Sequence, residues 1–441
     1  MKIAFYTLGC KVNQYETQGL KEIFKSKGYE IAESAEEEAD VYVVNTCTVT
    51  GLSDRKSRQY IRRMKKKNPD AITAVIGCYA QISPDEVSAV EGVDIVAGTN
   101  EKSRLPELIE QWKKEHQQLR YVLEYEQLGE CYEDMGIITS MESRTRAFIK
   151  VQEGCNRFCS YCVIPYARGQ VRSRPKEDVL KEAQALIDAG FKELVLAGIN
   201  TALYGAEPDF PKEDSGLTGV EILIDAISKL EGDFRIRLSS LEPTVVNGEY
   251  VKRLLKYDKL CHHLHLSAQS GSDHVLSAMN RRYDRSEYLE IVRVLKEADS
   301  GYGISTDLIA GFPGETEADH QDSVRLIEEA GFYKVHAFTY SKRPGTKAAD
   351  MKGHLAPQLK KRRTQQLIEA GDKASTRFAQ TCLGQTRTVL FEEREEGSGL
   401  WRGHADNFLQ VYLDSPDPLE GKLKRVTLTE VYKDGVKGKE E

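Results

Sequence analysis

The stretch EGCNRFCSYCVIPYARG, residues 153–169, carries Cys155, Cys159 and Cys162 in the spacing C-x3-C-x2-C. It follows directly on AFIKVQEG, a short run that reads as a strand. A closed zinc site takes four protein ligands, and no fourth Cys or His stands at a suitable distance in this loop. A cubane iron-sulfur cluster held by three thiolates instead leaves one iron with a vacant position. An open iron can chelate a small molecule. Were that molecule S-adenosylmethionine, an electron entering its sulfonium would break a carbon-sulfur bond homolytically. A zinc knuckle or a set of buried structural cysteines is the alternative.

Outward from this loop the strand-then-helix unit repeats through ELVLAGIN, FRIRLSSLEP, HLHLSAQSG, GISTDLIAGFPG and KVHAFTYS. Six such units predict a partial parallel (β/α)6 barrel over 145–380, whose strand C-terminal ends are where active sites form. The first helix, in RPKEDVLKEAQALIDAG, has an apolar stripe of Leu180, Ala183 and Ile187, opened by Pro175 and closed by Gly190. Candidates for holding S-adenosylmethionine lie at the strand ends: Gly198, Asn200, Gln269, Asp307 and Gly311. For each glycine a turn-forming role is the competing reading. Arg168, Arg172 and Arg174 follow the cysteine loop, as ligands for a phosphate or carboxylate or as surface charge. His262, His263 and His265 read as packing or structural polar residues.

Residues 1–114 alternate strands and helices, with a helix near 15–27, and predict a small doubly wound parallel sheet. Three of its strands end in a cysteine: KIAFYTLGC at Cys10, DVYVVNTC at Cys47 and AITAVIGC at Cys78. The three lie 37 and 31 residues apart, yet parallel strands bring them to one sheet edge, where open α/β sheets build their sites. Residues 115–144 are polar and weakly periodic and read as a linker with some helix, in which Cys131 is incidental; Cys261 and Cys382 read as ordinary buried residues. Residues 381–441 give short strands between Gly-, Asp- and Pro-rich turns, a small all-β barrel in which at least two of Trp401, Phe408 and Tyr412 are core.

At 441 residues the chain is long enough for two to four domains. It has no apolar run long enough to span a membrane and no signal-like start, which predicts a cytoplasmic protein. In that reducing compartment its nine cysteines favour metal or redox chemistry over disulfides. A net charge of -7 argues weakly against a chain coated by nucleic acid. Local charge differs: RKSRQYIRRMKKK at 55–67 has eight basic residues in thirteen, and KKRR stands at 360–363. Each run alone reads as a solvated helix face.

The cysteine loop after the first barrel strand resembles the radical S-adenosylmethionine superfamily, and Cys10, Cys47 and Cys78 in a preceding α/β domain resemble its methylthiotransferase family. The wording TLGCKVNQYET, NTCTVT, GCYAQ, IPYARGQVRSRP, SSLEP and TDLIAGFPGET is most similar to the branch acting on N6-threonylcarbamoyladenosine in tRNA. The branch acting on isopentenyladenosine tends to read GCQMN and NTCSIR. A third branch modifies an aspartate of a ribosomal protein, and a non-catalytic RNA-binding metalloprotein is a further alternative. The resemblance implies two 4Fe-4S clusters, the one on Cys155, Cys159 and Cys162 cleaving S-adenosylmethionine and the one on Cys10, Cys47 and Cys78 carrying the sulfur to be inserted. It also implies a C-terminal TRAM barrel gripping tRNA while the anticodon stem-loop enters the central pocket, a separate electron donor and a separate sulfur donor. Deleting the chain from Leu383 onward is then expected to weaken tRNA binding and spare S-adenosylmethionine cleavage.

Overall fold

The computed structural model describes residues 1–128, 132–139, 145–211 and 216–441. Cys131 lies outside the described residues.

The first unit is a six-stranded parallel sheet of β1 (Lys2–Thr7), β2 (Glu30–Ile31), β3 (Val41–Thr46), β4 (Ile72–Gly77), β5 (Ile95–Ala97) and β6 (Leu119–Tyr121), in the order β2-β1-β3-β4-β5-β6. Every residue of β3 and β4 is buried, because helices cover both faces; hence the near-continuous apolar runs VYVVNT and ITAVIG. The strand order reverses between β1 and β3, the switch point at which such sheets open a crevice. The helix Gly51–Lys67 starts on the Thr50 side chain, which accepts from the Ser53 amide, and buries Ser57, Ile61 and Met64 inward. Arg55, Lys56, Arg62 and Arg63 consequently stand exposed on its outer face.

The stretch expected as a linker is partly structural. Leu119–Tyr121 completes the first sheet against Ile95–Ala97. Met135 and Ile138 are buried, and Met135 packs into the core of the first unit. Alternating polar residues concealed these few anchors.

The central unit contains β7 (Arg146–Glu153), β8 (Arg172–Ser173), β9 (Glu193–Gly198), β10 (Arg235–Leu238), β11 (Ser240–Leu241), β12 (His263–Leu266), β13 (Gly303–Ala310) and β14 (Lys334–Thr339). Two parallel arrays, β10-β9-β7 and β11-β12-β13-β14, adjoin through a bridge between Ile236 and Leu260, and β8 adds antiparallel to the end of β7. This is the partial six-unit barrel. Along each strand the outward residues, such as Ile149, Ile236, Leu264 and Ile304, join the apolar layer under the helices. Strand alternation turns Phe148, Arg237, His263, His265, Ser305 and Asp307 into the lumen. In the helix Lys176–Asp188 the deepest residues are Val179, Ala183 and Leu186, with Leu180 and Ile187 flanking them.

The last unit is a closed five-stranded barrel of β15 (Thr386–Arg394), β16 (Trp401–Ala405), β17 (Gln410–Leu413), β18 (Leu423–Tyr432) and β19 (Gly435–Glu440), resembling a TRAM domain. Trp401 and Tyr412 are core, as expected. Phe408 instead projects onto the central unit, 4.4 Å from the Arg237 guanidinium and 4.9 Å from the His263 ring. Arg235 donates to the Thr388 and His404 carbonyls and Arg237 to those of Ala405 and Asp406, while Glu193 bonds both arginines. A Cβ on Gly303 would lie 2.0 Å from the Asn407 carbonyl oxygen, so only glycine permits this approach. The small barrel thus docks on the N-terminal ends of the central strands. A chain cut at Leu383 would remove four carbonyl acceptors from Arg235 and Arg237 and leave both on Glu193.

Candidate active site

Both cysteine triads sit at strand C-terminal ends. Cys10 caps the helix Lys11–Ser26 after β1, Cys47 follows β3, and Cys78 opens a short helix after β4. A Cβ on Gly9 would lie 2.7 Å from Cys47 Cβ and 3.0 Å from its Sγ, so the two strand ends touch. Burial pushes the Cys47 thiol up to about 11, and the neighbouring Cys78 and Cys10 sulfurs add to the shift. Cys78 is also raised, by burial first, against the opposing pull of Arg168.

The second triad follows β7. Its loop is pinned by Ser160, whose hydroxyl donates to the Ala278 carbonyl at 2.8 Å and whose amide donates to that of Met279 at 3.0 Å. Asn280 donates to the Arg157 and Phe158 carbonyls from below. Burial raises Cys155 to about 11 and Cys162 to about 12, with Cys159 raised as well and its sulfur opposing ionisation of the other two. Arg157 and Arg281 pull the other way without overcoming burial, so the three thiols do not ionise together unaided, and iron supplies the remaining positive charge. Among the described residues no three His, Cys, Asp or Glu side chains meet around one point where a single ion would sit. A cubane spreads its irons over several corners and reaches thiolates that a lone ion does not. The residues fit the cluster.

Arg168 joins the triads, and neither an RNA contact nor surface charge describes it. Its guanidinium, fully buried, donates Nε to Cys78 Sγ at 3.3 Å and binds Glu16 at 2.6 Å, Glu153 at 2.7 Å and Asn13 at 2.6 Å. Lys150 bonds Glu16 and Glu153, and Lys102 bonds Glu16 at 2.8 Å, every one of these side chains being fully buried. Arg172, also buried, lies 3.5 Å from Glu153. Four cations therefore face two carboxylates, while burial moves a third, Glu133, toward its neutral form. Surplus positive charge beside Cys78 is what an anionic thiolate-bound cluster needs. Arg174 is buried on Glu182 at 2.7 Å with Tyr15 beside it. None of these partnerships was legible in sequence, except that Lys150 is a charged residue inside an apolar strand.

A cavity of about 190 Å³ is lined both by the segment that follows Cys47 and by the loop that carries Cys159 and Cys162. Val49 and Thr50, just past Cys47, line it from one side; Tyr161, between Cys159 and Cys162, lines it from the other, with Gln269, Asp307 and Tyr340 between. Arg343 holds the Cys47 segment in place by bonding Asp54 at 2.6 Å and Thr48. Gln269 is in the left-handed region at φ 65, its amide donating to the Asp307 carbonyl. Burial raises the Asp307 carboxyl, but hydrogen bonds with His265 Nε2 and the Ser267 hydroxyl, both 3.1 Å, outweigh it and hold the group below the usual range. Asn200 donates to Glu242 at 3.0 Å, and its buried Oδ1 has no partner among the described residues. Glu242 also receives Arg157 and Arg281 beside the cysteine loop. Gly198 and Gly311 are different: an added Cβ would meet the Gln152 side chain at 2.9 Å and Lys360 Cγ at 2.3 Å, so protein already fills the space there. His263 and His265 are lumen residues bonded to Ser305, as structural histidines would be, and His262 pairs with Asp299 at 2.6 Å. In KKRR, Arg363 is buried on Glu315 at 2.7 Å, leaving Lys361 and Arg362 exposed. Among the described residues no helix is long and apolar enough to cross a membrane.

The chain is similar to known proteins along most of its length. The family described as the radical SAM superfamily matches residues 149–327, and uncharacterized protein family UPF0004 matches residues 2–98. The chain is 40% identical, over 97% of its own length and 93% of the relative's, to the threonylcarbamoyladenosine tRNA methylthiotransferase MtaB of Bacillus subtilis (strain 168). It is 35% identical, over 96% of its length and 94% of the relative's, to the tRNA-2-methylthio-N(6)-dimethylallyladenosine synthase of Moorella thermoacetica. Among solved structures, the radical S-adenosylmethionine methyltransferase TsrM from Kitasatospora setae superposes with a TM-score of 0.59 over 79% of this chain and 77% of that one, at 15% identity, a likeness of fold alone. With two cysteine triads on two α/β units, a partial six-unit barrel and relatives matched end to end, the chain belongs to the radical S-adenosylmethionine methylthiotransferase family, whose cofactors are S-adenosylmethionine and 4Fe-4S clusters.

Proposed function

We infer that this chain methylthiolates C2 of N6-threonylcarbamoyladenosine at position 37 of tRNA. The observation that carries this reading is the cavity bounded on one side by the segment after Cys47 and on the other by Tyr161 inside the second triad. The C2 hydrogen of adenine is not acidic, so general acid-base groups alone do not remove it. When bound, a cluster and S-adenosylmethionine supply a radical route to that carbon. Cys155, Cys159 and Cys162 would hold the cluster that engages S-adenosylmethionine, and Cys10, Cys47 and Cys78 the one presenting sulfur. The unpartnered Asn200 Oδ1 would accept from the amino or ribose groups of S-adenosylmethionine, with Gln269 and Asp307 lining its other side. Gly198 and Gly311 would shape the strand ends without touching it. Residues 1–114 with the packed strap after them, 145–380 and 381–441 would act as three units.

The exposed Arg55, Lys56, Arg62 and Arg63, with Lys361 and Arg362, form basic surface suited to the phosphates of an anticodon stem-loop, and the small barrel would hold the tRNA body by shape and backbone contacts. Separate electron and sulfur donors would serve the enzyme in the cytoplasm. The test is nucleoside mass spectrometry after incubating reconstituted, reduced enzyme with S-adenosylmethionine, sulfide and tRNAs bearing either threonylcarbamoyl- or isopentenyladenosine. A methylthio mass gain on the first nucleoside alone is expected. Gain only on the second, or on neither, refutes the assignment.

A further inference from the structure

We propose that Lys11 is the specificity residue of this site, its ammonium binding the carboxylate of the threonylcarbamoyl substrate; this rests on the function just given. Lys11 follows Cys10 at the start of the first helix, and its side chain runs into the lumen of the central barrel. There its Nζ lies 6.0 Å from the centre of the Phe148 ring and within electrostatic reach of Arg237, Arg146 and Glu193. The surrounding cations are all paired. Arg146, Arg235 and Arg237 share Glu193, and Lys150 has Glu16 and Glu153. Lys11 has no carboxylate or hydrogen-bond acceptor among the described residues. A part-buried ammonium without a counter-ion is unfavourable, and a substrate anion entering the lumen relieves it.

A second lumen residue points the same way. His263 is 5% exposed, feels the charge of Lys11, and has its Nδ1 buried with no hydrogen-bond partner, while its Nε2 is engaged by Ser305. A cation and an unsatisfied ring nitrogen in electrostatic reach of one another suit a ligand with a carboxylate and a neighbouring hydroxyl, which is the chemistry of a threonyl group. An isopentenyl group offers neither. Phosphates of the RNA backbone are the competing anions, but they belong to the exposed basic surface rather than to a lumen closed at its base by Phe408.

The experiment compares two synthetic anticodon stem-loops, identical except for threonylcarbamoyladenosine or plain adenosine at position 37, binding to reconstituted, unreduced enzyme by fluorescence anisotropy. The wild type should prefer the modified loop. Lys11→Gln should weaken binding of that loop about tenfold or more, as loss of a charge-assisted hydrogen bond implies, and leave the plain loop unchanged. Lys11→Arg should recover most of the preference, and all three proteins should carry the same iron and visible spectrum. Equal weakening on both loops would assign Lys11 to phosphate and overturn the proposal, as would no weakening on either. If wild-type enzyme methylthiolates the modified loop while Lys11→Gln binds it normally, only the role of Lys11 falls. If wild-type enzyme fails to methylthiolate it, the function fails first and the role of Lys11 with it.

Discussion

Replacing Cys155, Cys159 and Cys162 together by alanine should abolish formation of 5'-deoxyadenosine from S-adenosylmethionine under reducing conditions, while the chain stays folded. The loop is pinned by Ser160 and Asn280 rather than by its sulfurs, so its path between β7 and the segment 278–280 survives the change. With their ionisation pushed up by burial the three thiols are neutral in the metal-free chain and hold no ion pair, so their loss removes only small apolar contacts. Turnover should drop to the uncatalysed background, on the order of a millionfold or more by the scale of ordinary enzymatic acceleration. Liquid chromatography with mass detection of 5'-deoxyadenosine reads this directly. Persistent cleavage would move the chemistry to Cys10, Cys47 and Cys78.

Arg168→Met should be among the most destabilising single substitutions in the molecule, by about 3–5 kcal/mol, because it takes from buried Glu16 its main partner and from buried Glu153 its second. Burial alone pushes the Glu16 carboxyl up, but Arg168, Lys102 and Lys150 together overrule it and hold the group at about 2. Glu153 is likewise held well below the usual range, burial being outweighed by Lys150 and then Arg168. A depressed carboxylate contributes stability above its unfolded-state value, and that contribution is lost as pH falls through the folded value. In the variant both carboxyls rise, so acid unfolding should begin at a higher pH than in the wild type. Urea melts across the acid range read both effects. A loss under about 1 kcal/mol, with no shift of the acid limb, would mean that this network does not clamp the first unit to the barrel.

The architecture was legible because it follows from patterns the sequence carries locally. Apolar strands alternating with helices announce parallel sheets, and C-x3-C-x2-C directly after a strand names both the chemistry and the face of the barrel that holds it. Cys10, Cys47 and Cys78 were legible only jointly, since topology and not spacing gathers them. What stayed hidden are pairings across long sequence separation. Arg168 reaches Glu16 over 152 positions, and Arg343 reaches Asp54 over 289. A charged residue shows its sign in sequence but not whether it is buried or paired. Which of Trp401, Phe408 and Tyr412 leaves the core was hidden for the same reason: an aromatic on a small barrel can turn inward or, as Phe408 does, dock on a neighbour. Gly198 and Gly311 show the converse limit, since a glycine signals close approach without saying what approaches.

Two separate cysteine triads should each hold one four-iron cluster. Iron and sulfide should be counted on anaerobically reconstituted wild-type protein and on two triple-alanine variants, one lacking Cys10, Cys47 and Cys78 and the other lacking Cys155, Cys159 and Cys162. About eight irons per chain are expected in the wild type and about four in each variant, with only the first variant still cleaving S-adenosylmethionine. About four irons in the wild type, or complete loss of iron on removing either triad, would contradict this.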